Sequence, residues 1–485
     1  MRKKNTRSLS ALLLFLIFFN IAIKAQFTAP ACNTPVALGT AAYPATIYDP
    51  FTPLTPWTGP YGIDLGAVTN QDNAVGNATN DYASMSSLAS LLGGQRLTVQ
   101  TSGYTVPGGY YVGFDIQVDV PLSASLLKSI KITTFNQTDA LNPGVGQENI
   151  TAQVGSSTAS VLTNLGRWRV GFVTTQPFNR VQIDVSNLLS VVSNIRVYHA
   201  TIMNPCNVAK PVCPVSAAAN ATATFQPNVL TNWVNPTFPV YNSMPHTVVS
   251  NLAALNSVLT DIPNVIDSDP NNYSRIQFLG TSLGSTSLAV RDAKTIYEGN
   301  QYFVGWDVED EKSASVSFGT QHVVTTYLNG TQQESFSDGL GLGTGSFFTS
   351  TGRMITGFRP TKNFDEVSVT NTTIAGISLP TPFKVYQAKL MKLCAGPALV
   401  CNTNTRMVYP TYPVFVDGKN TATNAIGAIN NEIIDPQNAI DASTSNYTLL
   451  NLLGGIGTAT SYGITDGGRV YAANSTFAGF DVSSP

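Results

Sequence analysis

The sequence predicts an all-β chain of tandem β-sandwich modules, each roughly 185 residues long. Three observations carry that expectation. One motif returns three times with fixed internal spacing, its strands alternate apolar and polar residues, and the cysteines fall only at module edges.

The repeat comes first. Asn73-Ala74-Val75-Gly76 leads to Tyr82, Asn264-Val265-Ile266-Asp267 to Tyr273, and Asn438-Ala439-Ile440-Asp441 to Tyr447. A Gly-aromatic-Asp triplet follows each tyrosine: Gly113-Phe114-Asp115, Gly305-Trp306-Asp307 and Gly479-Phe480-Asp481. Farther along, Gly166 to Phe178 parallels Gly352 to Phe364, and Val197-Tyr198 parallels Val385-Tyr386. Upstream, Phe238-Pro239-Val240 matches Tyr412-Pro413-Val414. These matches divide the chain into residues 26–209, 210–397 and 398–485, the last a partial copy that stops just after its Gly-Phe-Asp strand.

Strands follow from periodicity. Val112, Phe114, Ile116, Val118 and Val120 alternate with Gly113, Asp115, Gln117 and Asp119, the pattern of a strand with one buried face. Tyr302, Val304, Trp306 and Val308 repeat it, which assigns Trp306 to a core. Asp307 and Glu309 then share the opposite face and read as solvated. Turn-forming Gly, Pro, Asn and Ser cluster between such runs, and no segment holds a helical apolar period for three turns.

Residues 1–25 read as a secretory signal. Arg2, Lys3, Lys4 and Arg7 precede an apolar run from Ala11 to Ile23, with cleavage expected after Ala25. That run is short for a membrane span, and no later segment is long and apolar enough to cross, so no transmembrane segment is expected after cleavage. Charged residues make up 11% of the chain, against roughly 25% in an average soluble protein, and Ser, Thr, Asn and Gly take their place. The net charge of −2, without a basic stripe, argues against a nucleic-acid partner.

The cysteines are Cys32, Cys206, Cys213, Cys394 and Cys401. An exported chain makes disulfides the default. One scheme closes each module on itself, pairing Cys32 with Cys206 and Cys213 with Cys394; the other clasps each joint, pairing Cys206 with Cys213 and Cys394 with Cys401. No histidine accompanies them, which leaves metal ligation and nucleophilic chemistry without support.

The stretch Asn438-Ala439-Ile440-Asp441-Ala442-Ser443-Thr444-Ser445-Asn446-Tyr447 resembles the loop signature of discoidin-type (factor V/VIII C-like) domains, and Asn264 to Tyr273 fits comparably. That resemblance implies a galactose-binding-like, jelly-roll-like sandwich. Tyrosine replaces the family's tryptophan, and Gly76 stands where aspartate belongs in the first copy. The overall make-up is also similar to long repetitive surface proteins exported by Bacteroidetes-type bacteria.

The resemblance implies a structural calcium ion in the aspartate loop. Oxygens would come from Asp267, Asp269 and Asn272 in the second copy, and from Asp441 and Asn446 in the third. The alternative for the same residues is an Asx-turn. Carbohydrate binding needs exposed aromatic faces, for which Tyr273 and Trp168 are nominated. His199, His246 and His322 occupy different module positions, and His199 aligns with Gln387, as a surface position does. No G-x-S-x-G, H-E-x-x-H or P-loop occurs, so the chain is not expected to be an enzyme. The expected function is a secreted cell-surface adhesin or structural repeat protein with weak multivalent glycan binding. The alternative is a set of carbohydrate-binding modules serving a catalytic domain beyond Pro485.

Overall fold

The computed structural model describes residues 27–48, 68–76, 80–86, 94–118, 130–136, 148–151, 159–162, 167–186, 194–206, 210, 213, 228–229, 240–243, 246, 249–251, 257–266, 269–278, 284–292, 294–310, 320–337, 347–348, 353–373, 383–409, 411–416, 422–423, 432–434, 436–451, 459–460 and 462–483. The expected signal segment lies outside them. The architecture is all-β, and the described residues contain no α-helix.

The first strands are β1 (Val36–Ala37), β2 (Ala45–Ile47), β3 (Val68–Thr69), β4 (Ala83–Ser86), β5 (Gly94–Thr101) and β6 (Tyr111–Val118). They are followed by β7 (Ile130–Phe135), β8 (Glu148–Thr151), β9 (Ala159–Leu162), β10 (Trp168–Val173), β11 (Arg180–Ser186) and β12 (Asn194–Met203). One sheet has the order β3-β4-β12-β6-β10-β9, with β1 also on β12; the other runs β2-β5-β11-β7-β8. Alternation explains the core between them. Phe114 and Ile116 of β6 face Leu97 and Val99 of β5 and Val181 and Ile183 of β11 within one buried cluster.

The same arrangement returns in β13 (Asn228–Val229), β14 (Val240–Asn242), β15 (Val249–Asn251), β16 (Ser257–Thr260), β17 (Ser274–Phe278), β18 (Gly284–Asp292) and β19 (Tyr302–Asp310). It continues through β20 (Thr320–Leu328), β21 (Thr331–Ser337), β22 (Phe347–Phe348), β23 (Met354–Phe358), β24 (Glu366–Thr373) and β25 (Phe383–Lys392). The sheets run β16-β17-β25-β19-β23-β22 and β14-β18-β24-β20-β21, the order of the first pair, with β13 on β25 as β1 is on β12 and an added strand β15 on β18. Trp306 is 0% exposed in this core, as the alternation requires.

Residues 414–466 form smaller pieces: β26 (Val414–Val416) with β31 (Ile464–Asp466), β27 (Ala422–Thr423) with β30 (Ala459–Thr460), and β28 (Glu432–Ile434) with β29 (Leu449–Asn451). Tyr412, Val414, Val416 and Ile440 pack together there. The strand expected at Gly479-Phe480-Asp481 is not formed; the segment is exposed, with Phe480 edge-on to Tyr462.

Of the two cysteine schemes, the structure has the self-closing one: Cys32 bonds Cys206 and Cys213 bonds Cys394, while Cys401 is an exposed free thiol. Each bridge closes almost a whole sandwich, over sequence separations of 174 and 181.

Candidate functional site

The outward face of the β6 sheet, and its counterpart on β19, carry the chemistry. Residues 111, 113, 115 and 117 point away from the first core, as do 303, 305, 307 and 309 from the second. A bulge shapes this face. The register of β12 slips between Val197 and His199, and that of β25 slips at the matching place, around Tyr386. The extra residue turns Tyr198 and Tyr386 outward, as bulges beside functional surfaces do.

Each bulge tyrosine meets the tyrosine of the repeat motif. Tyr82 and Tyr198 stand edge-to-face with ring centres 5.6 Å apart, and Tyr273 and Tyr386 do so at 5.4 Å. Cations cover both pairs. The Arg167 guanidinium lies 3.3 Å from the Tyr198 ring centre and Arg196 lies 5.5 Å from that of Tyr82. In the second copy Arg353 lies 4.1 Å from Tyr386 and Lys384 5.1 Å from Tyr273. The tyrosine hydroxyl donates across the sheet in both, from Tyr198 to Gln117 Oε1 and from Tyr386 to Glu309 Oε2. That donation holds the Glu309 carboxyl below its usual range against burial, with help from Lys384 Nζ at 3.1 Å. Burial and Glu309 push the Tyr386 phenol up. Tyr82 and Tyr273 are half-buried, so each platform shows one ring to solvent and hides the other.

The motif asparagine supports this ring. Asn73, Asn264 and Asn438 each sit third in a 3-10 turn, at Gln71–Ala74, Ile262–Val265 and Pro436–Ala439. Their side-chain amides donate to the carbonyls of Tyr82, Tyr273 and Tyr447 at 3.2, 3.1 and 2.9 Å. The loop between is a clasp that fixes where the tyrosine backbone enters its strand. Arg353 adds a bond to the Pro270 carbonyl at 2.6 Å. Tyr447 is 71% exposed, and no bulge tyrosine faces it among the described residues.

Two of the carboxylates nominated for calcium are engaged within their own loops. Asp441 accepts from the Ser443 N–H at 2.9 Å and from the Asn446 amide at 2.6 Å, and Asp269 accepts from the Asn271 N–H at 2.9 Å. This is Asx-turn bonding. Asn272 is half-buried beside Tyr273, and Asp267 lies outside the described residues. No group of three or more His, Cys, Asp or Glu side chains is placed to hold a metal ion among the described residues.

Between the platform and the far end of the face lies a buried charge cluster. Asp115, 4% exposed, accepts from Arg169 Nε at 2.7 Å and Nη2 at 2.8 Å, with His199 Nε2 at 3.2 Å. Burial pushes this carboxyl up, but Arg169 and His199 outweigh it and leave it at about 2. Asp307, 2% exposed, has Arg353 Nε and Lys389 Nζ each at 3.7 Å; burial pushes Asp307 up and Lys389 down. Two sequence expectations are therefore corrected. Asp307 is not solvated and Gln387 is buried, while His199 is half-buried against Asp115, because neighbouring cations close over the outer face.

Trp168 faces inward. Its rung partner is Ile116, and its half-buried ring packs against the first core, away from the platform. The sequence reading missed Tyr82, Tyr198 and Arg167 as one cluster, and Tyr386 and Arg353 as the partners of Tyr273 in its counterpart. The available signal was a phase change: inward residues fall at 195 and 197, then at 200 and 202, which marks the bulge.

No protein-family model matches the chain, and no curated protein matches it. Solved structures overlap it loosely. Allantoicase from Saccharomyces cerevisiae matches at 8% identity and a TM-score of 0.23, over 64% of this chain and 80% of that one. A CBM22-1–CBM22-2 tandem from Paenibacillus barcinonensis Xyn10C matches at 9% and 0.20, over 64% and 90%. The CBM32-1, CBM32-2 and M60 catalytic domains of Clostridium perfringens ZmpB match at 12% and 0.20, over 67% and 36%. Overlaps this loose assign neither a family nor an activity.

Proposed function

We propose that this chain is a secreted, non-enzymatic surface protein that holds extracellular glycans weakly at the Tyr82–Tyr198 and Tyr273–Tyr386 platforms. The observation that carries the reading is the repetition of one constructed cluster: paired tyrosines, a covering cation and a hydrogen-bonding partner, at the same bulge in both sandwiches. A half-buried tyrosine presents an apolar face for the C–H side of a sugar ring. Lys384, Glu309 and Gln117 beside it supply donors and acceptors for hydroxyl groups.

Each platform is small, so its affinity is weak, and linkage of two in one chain supplies avidity. Disulfides that close both sandwiches suit an oxidising, extracellular setting. The test is a glycan microarray probed with the whole chain and with the Tyr82→Ala/Tyr273→Ala double variant. Signals that the double variant loses support the reading; signals it keeps, or none from the whole chain, oppose it.

A further inference from the structure

The far end of the same sheet face, opposite the platform, is occupied by the next unit of the chain. In the first sandwich Tyr111, Val173 and Met203 form one rung across β10, β6 and β12. They belong to the apolar cluster of the second sandwich, together with Tyr297 and Tyr302. Lys210, which opens the second module, pairs with Glu298 beside this joint at 2.6 Å, and β14 of the second sandwich runs against β9 of the first.

The second joint repeats the first. Phe303 and Met391 occupy the rung of Tyr111 and Met203, and with Ile355 and Leu393 they receive Phe415 of the third unit, its ring centre 5.5 Å from that of Phe303. Arg359 donates to the Gly467 carbonyl at 3.2 Å, and Arg469 donates back to the carbonyls of Gly396 and Pro397 at 2.7 and 3.1 Å. Gly468 lies so close to the Cys394 carbonyl that a Cβ there would stand 2.3 Å from its oxygen. Apolar contact, reciprocal arginines and a glycine-tight fit are features of a built interface rather than a loose tether.

We infer that the units form a stiff column, each sheet face serving as the socket for the following unit, so that the distance between modules is fixed by the joint. Domains joined by small polar contacts move freely, and a large apolar joint is what prevents it. This inference does not depend on glycan binding.

The test is the distance distribution between nitroxide labels at Thr46→Cys and Gln332→Cys in the full chain, with Cys401→Ser to remove the free thiol. The expected result is one narrow distribution, which Met203→Ser broadens about twofold or more. Lys210→Glu, a surface change that sets like charges together at the joint and spares the cores, is expected to broaden it as well. A broad distribution in the parent overturns the inference. So does a narrow one that both variants leave unchanged, because the joint would then not be what holds the units.

Discussion

The Asn264 amide donates to the Tyr273 carbonyl at 3.1 Å, tying the start of the aspartate loop to its end across nine residues. The same bond joins Asn73 to Tyr82 and Asn438 to Tyr447, so the recurrent part of the motif is a structural clasp. Asn264→Ala removes the donor and leaves a backbone carbonyl unpaired. It should cost the second sandwich roughly 1–3 kcal/mol in urea unfolding, with the first sandwich unaffected.

Calcium provides an independent check on the loop. Asp441 and Asp269 already accept hydrogen bonds from their own loops, so millimolar calcium should leave the thermal midpoint of the full chain where EDTA leaves it. A rise on adding calcium would restore the ion implied by the discoidin-like signature, with Asp267 as the first ligand to test.

Each disulfide should stabilise only the sandwich it closes. Loops of 174 and 181 residues restrict the unfolded chain by on the order of 5 kcal/mol in the chain-entropy view. Cys213→Ser/Cys394→Ser should lower the second unfolding transition and spare the first, and Cys32→Ser/Cys206→Ser the reverse. Equal loss from both transitions would mean that the bridges act through the joints instead.

Acid should weaken the second sandwich through His322, whose ring stacks on Phe383 at 4.5 Å. Burial pushes this imidazole down to about 4 from an ordinary 6.5. The unfolded chain therefore binds a proton that the folded chain refuses between those values. The contribution of His322 is complete above pH 6.5 and is lost progressively as pH falls toward 4. Asp292, Asp307 and Asp365, raised by burial, change in the opposite sense and are common to any variant. The difference between parent and His322→Leu isolates the histidine: the variant should lose less stability than the parent across that window, and parallel curves would contradict the assignment.

Much of this was legible in the residues. Strict alternation through Val112–Val118 and Tyr302–Val308 gave the inward faces correctly, Trp306 included. The repeat in sequence also foreshadowed identical strand order. What escaped was the outer face. Alternation says only that Asp115 and Asp307 point away from the core, and cannot say that Arg169, Arg353 or Lys389 will close over them from more than forty residues away along the chain. Nor does it show Tyr198 and Tyr386 as bulge residues, because a one-residue slip becomes visible only when inward positions on both sides of it are compared. Trp168 is a rare aromatic, but its strand position makes it part of a core.

The central claim is that the two tyrosine platforms bind glycans together. The most direct measurement is surface-immobilised glycan binding by the full chain, compared with Tyr82→Ala, Tyr273→Ala and the double variant. The account predicts that each single variant falls about a hundredfold or more, to weak and fast-dissociating binding, since avidity requires both sites, and that the double variant does not bind. Unchanged binding by a folded double variant would contradict it.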